Sequence, residues 1–88
     1  MLFAEFVEAE KKVWHDEEKG TVSNSLVVTY ADVDESGNAS RKTKEFKVSQ
    51  KSAPEAYDKF LRMKEGQQFC CAVKEVNGVT DVRILEVE

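Results

Sequence analysis

Leu2-Phe3-Ala4-Glu5-Phe6-Val7-Glu8-Ala9-Glu10-Lys11-Lys12-Val13-Trp14 opens the chain, and whether it is helix or strand decides the fold. Leu2, Phe6, Ala9 and Val13, with Phe3, Val7 and Trp14 beside them, recur at the spacing of one helical face. Within the same stretch, Phe3 to Glu8 also accommodates a strand with a bulge or a change of face. Local periodicity slightly favours the helix. The rest of the chain reverses that preference.

Downstream, Leu26-Val27-Val28-Thr29-Tyr30-Ala31 is β-branched and aromatic, which predicts a strand. Asp34-Glu35-Ser36-Gly37-Asn38 is a turn, and Lys42 to Ser49 is the antiparallel partner, with Phe46 and Val48 on one side and Glu45 and Lys47 on the other. Ser52-Ala53-Pro54-Glu55 reads as a capping box with Ser52 as N-cap. Ala53, Ala56, Tyr57, Phe60 and Leu61 then form one apolar face, and Gly66 closes a helix expected over Ala53 to Glu65. Phe69-Cys70-Cys71-Ala72-Val73 and Val79 to Val87 make a hairpin about Asn77-Gly78. Val82 and Ile84 lie on one face of the last strand, with Leu85 and Val87 on the other. Such two-sided apolarity suits a closed or self-associating sheet. His15 to Asn24 reads as a polar, mostly acidic loop.

If the first stretch is a helix, four strands are left with exposed edges on a small core. If it is a strand, the order is β-β-β-α-β-β, mainly β, with the one helix between strands 3 and 4. That is the element order of the OB-fold, a five-stranded, partly open barrel whose strand 2–3 face and whose 1–2 and 4–5 loops bind oligonucleotides. The expected architecture is therefore a five-stranded OB-type barrel with one helix, residues 1–88 forming a single OB-like domain.

Charge is distributed unevenly along this chain of 88 residues and net charge −4. From Arg41 to Lys64, eight basic side chains face three acidic ones, a net of +5. The first forty residues carry a net of −6 and the segment from Glu65 onward −3. A pI near 5.1 argues against a polyanion ligand only if charge is evenly spread, since local potential governs steering and contact. A solvated strand–turn–helix surface is the plainer reading of the same run.

Tyr57-Asp58-Lys59-Phe60-Leu61-Arg62-Met63-Lys64-Glu65-Gly66-Gln67-Gln68-Phe69 resembles the passage from a helix with a Lys-rich end, through Gly, to an apolar strand in bacterial single-stranded-DNA-binding proteins. Val82-Arg83-Ile84-Leu85-Glu86-Val87 is similar to the closing strand of the small replication proteins of filamentous bacteriophages, which are close to this length. The resemblance covers most of the chain in pattern and includes no diagnostic motif. It implies non-specific binding of single-stranded DNA, or RNA, in phage or plasmid DNA replication. The acidic first loop, Asp16-Glu17-Glu18, departs from that pattern, and the hairpin at Asn77-Gly78 is too short for a grasping arm.

Such binding needs cations along the backbone and aromatic faces under the bases. Arg41, Lys42, Lys44 and Lys47 supply the cations, joined by Lys11 and Lys12 near the end of the first strand. Trp14 is either a stacking platform or a plug at a barrel end. Tyr30 shares the parity of Leu26 and Val28, so a core position with its hydroxyl at the rim competes with a binding role. Phe46, Tyr57 and Phe60 are expected in the core, and Lys59, Arg62 and Lys64 on the helix's solvated face.

An enzyme is not expected: the sequence has one histidine, no Ser–His–Asp set and no Gly-rich phosphate loop. No metal site or cofactor is expected either. Asp-Val-Asp-Glu-Ser-Gly lacks the twelfth-position Glu of a calcium loop, and adjacent Cys70 and Cys71 point to opposite faces of a strand, one expected in the core and the other exposed. No run of residues is apolar enough to span a bilayer, and the acids among the first eight residues do not suit a secretory signal, so a cytoplasmic protein is expected. The apolar last strand predicts a homodimer or larger assembly. A protein-interaction module on the same barrel, without nucleic-acid binding, is the competing reading.

Overall fold

The computed structural model describes residues 2–76 and 79–87. The opening stretch is a strand. β1 (Leu2–Asp16) pairs antiparallel with β2 (Thr21–Val33), which pairs with β3 (Ala39–Ser49). Helix α1 (Pro54–Arg62) follows, then β4 (Gln68–Val76), antiparallel to β1, and β5 (Val79–Val87), antiparallel to β4. The sheet order is β3-β2-β1-β4-β5. The antiparallel sheet curls into a half-barrel, and the edge strands β3 and β5 come within 8 Å of each other at Cα atoms.

A bulge between Phe6 and Glu8 explains why β1 looked helical. Before it Ala4 and Phe6 face the core; after it Ala9, Lys11 and Val13 continue that face, so Val7 shifts the alternation by one residue. Inward positions 2, 6, 9 and 13 thus mimic a helical spacing. The supposed loop from His15 to Asn24 is mostly strand, because β1 runs to Asp16 and β2 starts at Thr21. The Asp16 carboxylate accepts the amides of Glu18 and Lys19 at 3.1 and 3.2 Å, and Gly20 takes φ 63°, so a four-residue turn suffices. The Asp34 carboxylate likewise accepts the amides of Ser36 and Asn38, both at 2.9 Å.

Phe60 organises the core. It is fully buried, with its ring 5.2 Å from Phe69, 5.5 Å from Phe46 and 6.5 Å from Phe6. Leu26, Val28, Val48, Ala56, Tyr57 and Cys71 complete the cluster, and α1 packs across β2, β3 and β5. Leu61 is 39% exposed and lies off the buried face, contrary to its helical spacing.

The helix is shorter than expected and the capping box does not form. Ala53 is the N-cap, without a side-chain cap bond, because Pro54 at the first turn forces the preceding residue out of helical geometry (φ −140°, ψ 66°). Met63 is already extended, so the helix ends at Arg62 and Gly66 lies in the following turn, its amide donating to the Phe6 carbonyl at 2.9 Å. Both cysteines are buried, so the expectation of one exposed thiol fails. Burial, with Cys70 beside it, pushes the Cys71 thiol up to about 11. Asn77 and Gly78 lie outside the described residues, as do the side chains of β5 other than Ile84, on which the expectation of a two-sided apolar strand rested. Among the described residues no helix is long and apolar enough to cross a membrane.

Candidate nucleic-acid interface

Directly paired residues share a face, so the registers sort the basic side chains without ambiguity across most of β1, β2 and β3. On the core-facing side run the rows Phe6–Tyr30–Lys44, Ala9–Val28–Phe46 and Lys11–Leu26–Val48. On the outward side run Glu8–Thr29–Glu45, Glu10–Val27–Lys47, Lys12–Ser25–Ser49 and finally Trp14–Ser23. The basic stretch that the sequence groups on one strand is therefore split between two faces. Strand alternation is the reason: Lys44 and Lys47 are three residues apart and cannot point the same way in a regular strand.

Lys44 is paired with an acid of the neighbouring strand, in a contact open to water. Its ammonium lies 2.8 Å from the Asp32 carboxylate, and that hydrogen bond, with the attraction of the Asp32 charge, raises the lysine above its usual range. Beside it Tyr30 is half-buried, its ring 5.3 Å from Phe46, and burial raises its phenol above the ordinary value. Tyr30 is thus a core-rim residue on the side opposite Trp14. Lys12 is also paired, with Glu10 at 3.1 Å, although both are exposed and such a pair is worth little in water. Arg41 and Lys42 are exposed on β3 within the register shift between the pairs Ala31–Thr43 and Val33–Ala39. Lys11 is exposed where the core-facing row runs out past the core.

One grouping does form. Trp14 is 60% exposed near the end of the β1–β2 ribbon, and the Lys47 ammonium sits 6.0 Å from its ring centroid. Lys47 forms no ion pair among the described residues. Lys12 occupies the row between them, and Ser23, Ser25 and Ser49 give the surface beside the indole a small, polar floor. Of these serines only Ser23 fell in the His15 to Asn24 segment expected to be loop; the period-two alternation of Thr21, Ser23 and Ser25 was the available signal. The indole face is open to a flat apolar ring, while the ammonium lies where it can meet a charge carried alongside that ring.

The ribbon's other side is apolar and also open. Val13 and Val22 are diagonal neighbours there, 52% and 57% exposed, flanked by Lys11 and His15. The ribbon carries the sheet past its core, giving the molecule extents of 49 × 23 × 21 Å. A cavity of about 220 Å³ lined by Asp32, Asp34, Asn38 and Ser40 lies at the opposite end of β2, but the Asp34 carboxylate is already committed to its own turn. No cluster of three or more potential metal ligands occurs among the described residues. Comparison with protein families, with curated proteins and with solved structures found no match to this chain.

Proposed function

We propose that this protein binds single-stranded nucleic acid without sequence preference, on the outward face at the end of the β1–β2 ribbon. The observation that carries the reading is Trp14, an exposed indole with the Lys47 ammonium 6.0 Å over its ring. A base stacking on the free indole face is worth about 1–3 kcal/mol, and a phosphate beside it meets Lys47 and Lys12. Glu8 and Glu45 occupy the next row of the same face and repel phosphate, while Glu10 lies in the row of Lys47 and holds Lys12 at 3.1 Å, a pair that phosphate must displace. They confine the favourable patch to the ribbon end rather than to the whole length of β3. Lys44 and Tyr30 take no part in this reading, nor do Lys11, on the core-facing row, or Arg41 and Lys42, at the end of β3 away from Trp14.

The fold supports the reading as an OB-type barrel opened between β3 and β5. The strand order, the helix between β3 and β4, and the approach of the two edge strands all fit that architecture. On this assignment the ligand lies against the β1–β2 connection and the adjoining β2–β3 face, the region OB barrels use for oligonucleotides.

The test is an oligo-dT titration followed by the fluorescence of Trp14, the chain's single tryptophan, at two salt concentrations. Quenching on saturation and an affinity that falls with salt support the reading; an unchanged emission refutes it. The exposed Val13 and Val22 favour a second reading, a protein-interaction module using the opposite side of the ribbon. That module responds to neither oligo-dT nor salt in this assay.

A further inference from the structure

β1 is a strand of two halves. From Leu2 to Glu5 it pairs with β4, with β2 on its other edge from Ala4 onward, and Phe6 closes the β4 side by bonding Gly66 and Gln67. From Glu8 to Asp16 it pairs only with β2, and among the described residues no strand or helix covers its other side. This leaves a long exposed edge, a template for another strand. The edge sequence, Glu8-Ala9-Glu10-Lys11-Lys12-Val13-Trp14, places acids before bases. Such a sequence complements itself when run antiparallel.

We propose that this edge pairs with the same edge of a second copy, in the register that puts Lys11 on the two-fold axis. Residues opposed in an antiparallel sheet share a face, so outward residues must meet outward residues and only alternate registers are allowed. With Lys11 central, Glu10 opposes Lys12 of the second copy twice, Ala9 opposes Val13 twice, and each Trp14 lies beside a Glu8. Moving the axis to Ala9 or Glu10 sets carboxylates against carboxylates, Glu8 against Glu10 in one case and Glu10 against itself in the other. Moving it to Lys12 opposes the two Lys12 ammoniums and sets Glu8 against Asp16. The Glu10 register also makes two outward pairs, Glu8 with Lys12, but it spans only five residues of the free edge and carries Val13 past it to the bulge at Val7. The Lys11 register combines two outward ion pairs with burial of the exposed Val13 over seven residues, at the cost of one like pair, the exposed Lys11 ammoniums. Seven residues per chain make a small interface, of the size class of weak, reversible association. It places both indoles on one face, about 20 Å apart at six residues of strand rise. This proposal is independent of nucleic-acid binding.

Sedimentation equilibrium without nucleic acid, at concentrations up to about 1 mM, tests it. The wild-type chain dimerises. Glu10→Lys turns both attractive pairs repulsive and weakens the dimer about tenfold or more. The exchange Glu10→Lys with Lys12→Glu restores it, and Lys11→Ala tightens it. Lys11→Cys gives a symmetric disulfide on oxidation, because opposed Cα atoms fall in the bonding range and both native thiols are buried; Val13→Cys does not. A strict monomer, a dimer indifferent to Glu10→Lys, or cross-linking through Val13→Cys in place of Lys11→Cys overturns the proposal. A dimer that ignores oligo-dT leaves it standing and removes the nucleic-acid reading; a monomer that binds oligo-dT does the reverse.

Discussion

Trp14→Ala is the most exposing single substitution in this protein, because it separates binding from folding. The indole is 60% exposed, near the end of a two-stranded ribbon, with the Lys47 ammonium 6.0 Å from its ring centroid. An exposed cation–π contact contributes about 0.5–1 kcal/mol, so the folded state loses little and the melting temperature falls by no more than about 8 °C. A stacked base contributes about 1–3 kcal/mol, which predicts oligo-dT affinity lower by about 5- to 150-fold. Lys47→Gln leaves the indole in place but removes one phosphate contact. It lowers the slope of log affinity against log salt by about 0.7. Both are read by anisotropy of a labelled oligo-dT, with thermal melting as the folding control. If Trp14→Ala binds within twofold of the parent while remaining folded, the interface is not at the ribbon end.

Three further outcomes follow from the core and the helix. Phe60→Ala, at a fully buried ring packed against Phe6, Phe46 and Phe69, costs about 3–5 kcal/mol in chemical denaturation; a loss below 1 kcal/mol contradicts the packing. Ser52→Ala changes stability by less than about 0.5 kcal/mol, since Ala53 is the N-cap and no side chain caps the helix, whereas a working capping box predicts about 1 kcal/mol. Cys71 stays protonated in the folded chain to about pH 11, against an ordinary value of 9.0 when unfolded. Its stabilising effect is complete below about pH 9 and is lost as pH rises through 11, so a Cys71→Ala variant shows a shallower alkaline decline in denaturation midpoint. A matching decline in both proteins rules the thiol out as its source.

The elements after residue 25 were legible because each carried its own signal: β-branched runs, the Asp34–Asn38 turn, and the apolar spacing of Ala56, Tyr57 and Phe60. Residues 2–24 were harder for two reasons. The bulge at Val7 converts a strand's alternation into an apparent helical period, and the four-residue turn about Asp16 is too small to stand out from the polar residues around it. The helix starts later than expected because a proline's steric effect on Ala53 outweighs the hydroxyl of Ser52, and it ends earlier because Met63 is already extended. For the interface, charge counted along the chain misled. Eight cations in one segment say how much charge is present, not which side of a pleat receives it or whether an acid such as Asp32 waits there from another strand. Trp14 was visible as a candidate, but its partner Lys47 comes from two strands away, a pairing that only the registers reveal.

The uneven support along β1 also governs how it moves. Ala4 and Glu5 are clamped by neighbours on both edges, while the last nine residues hang from β2 alone, so thermal bending accumulates toward the tip like deflection along a cantilever. Amide hydrogens near Ala4 then exchange slowly with solvent and those near Trp14 quickly. Anything that grips the free end stiffens the lever, and the restraint reaches the clamp beside Phe6 without any rearrangement of the core.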